Sequence, residues 1–105
     1  MGEYLMVNQR TLKVSKISKE LMDLNSDKER LSRICKFGNH YELEQCLQEM
    51  YFKYFVQGVI SGVIGSNPAS TLQEQANVCL NFLDGLILNK SVELTSEAAK
   101  GINNV

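Results

Sequence analysis

Tryptophan is missing from this chain, and proline and histidine each occur once, at Pro68 and His40. A lone histidine limits any His-based metal site to one such ligand, and Cys35, Cys46 and Cys79 offer no Cys-x-x-Cys pair of the kind structural zinc requires. No third group stands at recognisable spacing to orient a dyad of His40 with Cys35 or Cys46, so nucleophilic catalysis has no frame. The spacing of Gly58, Gly62 and Gly65 matches neither a P-loop nor a dinucleotide fingerprint. Charge of one sign is not in excess either. Eleven basic residues face twelve acidic ones, which excludes the global field of a protein that coats nucleic acid. No apolar run approaches the ~20 residues needed to span a bilayer. The opening MGEYLMVNQR has neither signal-peptide architecture nor the Ser or Thr that myristoylation wants where Met6 stands. An odd number of cysteines in apolar surroundings fits reduced thiols acting as small hydrophobes. Together these absences predict a soluble, cytoplasmic protein that is not an enzyme and that uses no cofactor, no metal and no membrane partner.

What is present is helical patterning. At 44% hydrophobic residues, the chain has apolar material enough for one packed domain spanning residues 1–105. Val14, Ile17, Leu21 and Leu24 step by three and four, which gathers them on one face of a first helix over about 9–24. Asn25 and Ser26 then read as an interruption, with Ser26 and Glu29 forming a capping box for a second helix over 27–37 that Gly38 closes in the left-handed conformation. Asn39 with Glu42 opens a third. Its apolar set runs through Leu43, Cys46, Leu47, Met50 and Tyr54 to Ile64, predicting one long central helix over 40–64. Ser66, Asn67 and Pro68 break the pattern, and Thr71 with Glu74 opens a fourth helix over 71–89. Residues 90–105 are polar and weakly patterned, and read as a frayed tail. The expected fold class is therefore all-α, a four-helix domain with the third helix as its spine, of a kind that also forms dimeric helical bundles.

Three groups of residues are candidates for function. Gly58, Ser61, Gly62 and Gly65 share one face of the expected central helix, where glycines cost roughly 1 kcal/mol each relative to alanine. Close approach of a second helix, from the same chain or a twin, would compensate; the alternative is a helix that ends near Gly58. Tyr51, Phe52, Tyr54 and Phe55 sweep most of the way round a helix, so they form either a partner or homodimer interface or a core enclosed by companion helices. Arg10, Lys13, Lys16 and Lys19 make a basic first helix that suits phosphates or an acidic partner, although a spacing of three drifts across the surface and also describes an ordinary solvated face.

The halves of the chain differ in charge. Residues 1–40 hold eight basic against five acidic groups, and 41–105 hold three against seven, an asymmetry suited to head-to-tail docking or to one basic face. The function expected from these features is protein binding through a helical face, as in an inhibitor or immunity factor, a secretion-type chaperone or a regulatory adaptor, with homodimer formation through the glycine face. The alternative is a nucleic-acid-binding regulator using the basic first helix.

Overall fold

A computed structural model describes residues 2–56 and 71–103, and within them the side chains of residues 12–56 and 71–100. The described residues contain three helices and no strand: α1 (Gly2–Phe37), α2 (His40–Tyr54) and α3 (Leu72–Asn103). The all-α class holds, while the expected count of four does not. None of these helices is long and apolar enough to cross a membrane.

The expected break at Asn25 and Ser26 is absent, because both residues lie inside α1. The reason is heptad phase. Ile17, Leu24 and Leu31 are buried seven residues apart, and Val14, Leu21, Lys28 and Cys35 repeat at the same interval alongside them, so the inward stripe passes the polar pair without a shift. Asn25 and Ser26 fall on the outer face, where Asn25 Nδ2 donates to the Leu21 carbonyl at 2.8 Å, and Ser26 has no helix start to cap. At the far end Gly38 does not adopt the left-handed backbone. Its amide donates to the Ile34 carbonyl at 2.8 Å, and a β-carbon there would meet that oxygen at 2.7 Å, so glycine is needed for space.

The two other caps form as the sequence suggests. Asn39 Oδ1 accepts from the Glu42 amide at 2.7 Å, and Thr71 Oγ1 from the Glu74 amide at 3.1 Å. The helix expected over 40–64 stops at Tyr54, where Phe55 turns left-handed with φ 57° and ψ 35°. Continued helix would have left Val56 on the solvent side next to Glu49, whereas the turn buries it completely. The tail expected to fray from Lys90 onward is instead the continuation of α3 to Asn103.

The chain folds as two compact units, Met1–Asn25 with Leu86–Val105, and Ser26–Gly85. In the first unit Ile17 and Leu24 are buried, and ion pairs join the helices: Lys13 to Glu97 at 3.1 Å, and Glu20 to Lys90. Seven residues forward on α1 match seven back on α3, an antiparallel register. A slip of one heptad would oppose Lys13 to Lys90, or Glu20 to Glu97, so the charges fix the alignment. The second unit buries Leu31, Leu43, Cys46, Leu47, Met50, Val56, Ala76, Cys79 and Leu83. There Lys28 pairs with Asp84, and Arg30 with Glu49. Burial raises the thiols of Cys46 and Cys79, the latter to about 11, as expected of inert apolar packing.

Candidate functional site

Helix α2 has two contrasting faces. At roughly 100° per residue, Leu43, Cys46, Leu47 and Met50 fall within an arc of about 100°, and all four are buried in the second unit. On the opposite side Tyr41, Gln45, Gln48 and Phe52 step by four, three and four residues, and all are exposed. Phe55 follows three residues later. A helix face exposed to solvent normally carries charge, but this stripe carries none. Tyr41 is 69% exposed, Phe52 87% and Phe55 83%, more surface than three rings surrender when they belong to a core. Gln48, Tyr51, Phe52 and Phe55 line a shallow depression at its C-terminal end.

The aromatic quartet therefore splits into two pairs. Tyr51 and Tyr54 turn inward and are half-buried. The Tyr51 hydroxyl donates to Gln75 Oε1 at 2.8 Å, and that of Tyr54 donates to Asp27 Oδ2. The same carboxylate oxygen receives Lys53 Nζ at 2.7 Å. Burial pushes the Asp27 carboxyl upward, but the bonds from Lys53 and Tyr54 outweigh it and hold the group below its ordinary range. Desolvation raises both phenols to about 12. Phe52 and Phe55 face water instead. Phe55 does so from a left-handed backbone, a conformation that disfavours any β-carbon by about 1–2 kcal/mol. Strain kept by a residue whose ring touches little of its own fold points to a use for that ring.

Sequence reading grouped the four aromatics but missed Tyr41, Gln45 and Gln48, which complete the outer stripe. The four-three-four spacing of uncharged residues was the available signal. The remaining candidates are less concentrated. Gly58, Ser61, Gly62 and Gly65 lie outside the described residues. Arg10 sits in α1, its side chain outside the described set. Lys13 is engaged by Glu97, whereas Lys16 and Lys19 are exposed, with Lys16 close enough to help lower the Glu20 carboxyl after the larger effect of the Lys90 hydrogen bond. Among the described residues no three His, Cys, Asp or Glu side chains are grouped to hold a metal ion. Comparison of the chain with models of known protein families, with curated proteins and with solved structures returns no match.

Proposed function

We propose that this chain is a protein-binding module whose working surface is the outer face of α2, with Phe52 and Phe55 as its anchors. The observation that carries this reading is the uncharged aromatic stripe directly opposite the buried face, ending in a phenylalanine kept in a strained backbone. Rings presented on a rigid helix lose little entropy on docking, and aromatic anchors dominate interface energetics. An inhibitor or immunity factor, a secretion-type chaperone and a regulatory adaptor would each use such a surface, and a cytoplasmic setting fits Cys35, Cys46 and Cys79 as free thiols. Nucleic-acid binding through α1 draws less support, since Lys13, one of its candidate cations, is engaged by Glu97.

The test is capture of partners from the source cell by wild type and by a Phe52→Ser, Phe55→Ser double variant. Both side chains are exposed, so helicity and melting should be retained while partner recovery falls at least tenfold, the loss expected when hot-spot rings are truncated. Undiminished recovery would refute the assignment. Titration with generic duplex DNA at rising salt tests the alternative, which requires binding that weakens steeply.

A further inference from the structure

The charges that border the outer stripe bear on what it accepts. Glu42 and Glu49 flank one side of Tyr41, Gln45, Gln48 and Phe52, and Glu44 flanks the other. Glu49 is engaged by Arg30, so of these three Glu42 and Glu44 are the exposed carboxylates without an ion-pair partner among the described residues. Both stand at the Tyr41 end, and the Phe52–Phe55 depression stands at the other. Resting on the binding surface proposed above, we infer that its occupant is an amphipathic helix of another protein, with apolar side chains on its stripe and lysine or arginine on its flanks. The basic flank lies over Glu42 and Glu44, and a large apolar side chain enters the depression.

A second copy of this chain is a poorer fit. Parallel pairing of α2 with its twin would bring Glu42 and Glu44 of both copies into the flanks of one interface, and like charges in those positions oppose association. A basic flank turns the same positions into complementary pairs. Exposed pairs of this kind add selectivity and association rate more than raw affinity.

Three labelled designed helical peptides, alike in a leucine stripe but flanked by Lys, Gln or Glu, would be titrated into the intact protein by fluorescence anisotropy. The Lys-flanked peptide should bind about tenfold tighter than its Gln twin, with the Glu twin weakest. Glu42→Gln with Glu44→Gln should erase that ranking and leave the apolar component, since the Asn39 cap uses the residue 42 amide rather than its carboxylate. Phe52→Ser should abolish binding of all three. Equal affinity for the three peptides would overturn the basic partner while leaving the α2 surface in place. Failure of every peptide to bind would overturn this inference, and the capture experiment above would then decide the surface separately. A concentration-dependent dimer in sedimentation that Phe52→Ser dissolves would overturn it too, by identifying the occupant as a second copy.

Discussion

Single residues in this protein separate stability from use. Leu83 is fully buried, and Leu83→Ala should cost about 2–5 kcal/mol in denaturant unfolding through lost transfer energy and the cavity left behind. Gly85 shows the opposite case. It lies within α3 with nothing within 4 Å of where a β-carbon would stand, so Gly85→Ala should stabilise by about 0.5–1 kcal/mol in the same assay. Tyr51 and Tyr54 set an alkaline limit. Their folded pKa values near 12 exceed the ordinary value of 10, so the protonated phenol is favoured by folding. Below pH 10 that contribution is fully present, and it is lost as pH rises from 10 to 12. Tyrosinate absorbance should show two late-ionising groups, with Tyr51→Phe and Tyr54→Phe each removing one. Early ionisation of both would contradict the inward placement. Anchoring of these two rings was not legible in the sequence, because Gln75 and Asp27 lie far along the chain from the rings they meet.

Elements were legible where capping chemistry and apolar period agreed, as at Asn39 and Thr71. Reading failed where polar residues were judged by type rather than by phase. Asn25 and Ser26 resemble a helix boundary, yet the stripe through Leu24, Lys28 and Leu31 continues in register and places both on the outside. Ser26→Pro makes the distinction measurable. In a helix interior it removes an amide donor and clashes with the preceding turn, costing about 3 kcal/mol or more, whereas at a genuine helix start it would be tolerated. The end of α3 misled for a related reason. Beyond Leu86 its half-buried side mixes Ile87 and Leu94 with Lys90 and Glu97, which pair with Glu20 and Lys13 on α1, so apolar period alone is weak there. The long helix expected through residue 64 ends early because burying Val56 requires a turn that no propensity at Phe55 announces.

At the scale of the whole molecule, the two units are stabilised by different means. Among described side chains, two in the first unit are buried apolar groups and nine in the second, so amide exchange should be slower in the second. Glu20 and Glu97 are held below the ordinary carboxylate range, chiefly by hydrogen bonds from Lys90 and Lys13 respectively. Their contribution is present above that range and lost as pH falls through the lowered values, so acid and added salt should both lower the amide protection factors of the first unit, taken relative to the intrinsic exchange rate at each pH. Indifference to both would show that its alignment does not depend on charge. The proposed working surface lies in the second unit, and the proposal turns on why phenylalanine, rather than glycine, occupies the left-handed position that burying Val56 requires. Phe55→Gly tests that most directly, with thermal unfolding and partner recovery measured on the same preparation. The variant should be more stable by about 1 kcal/mol and should lose most of its partner. A variant that is no more stable, or that recovers its partner as well as wild type, would contradict the account.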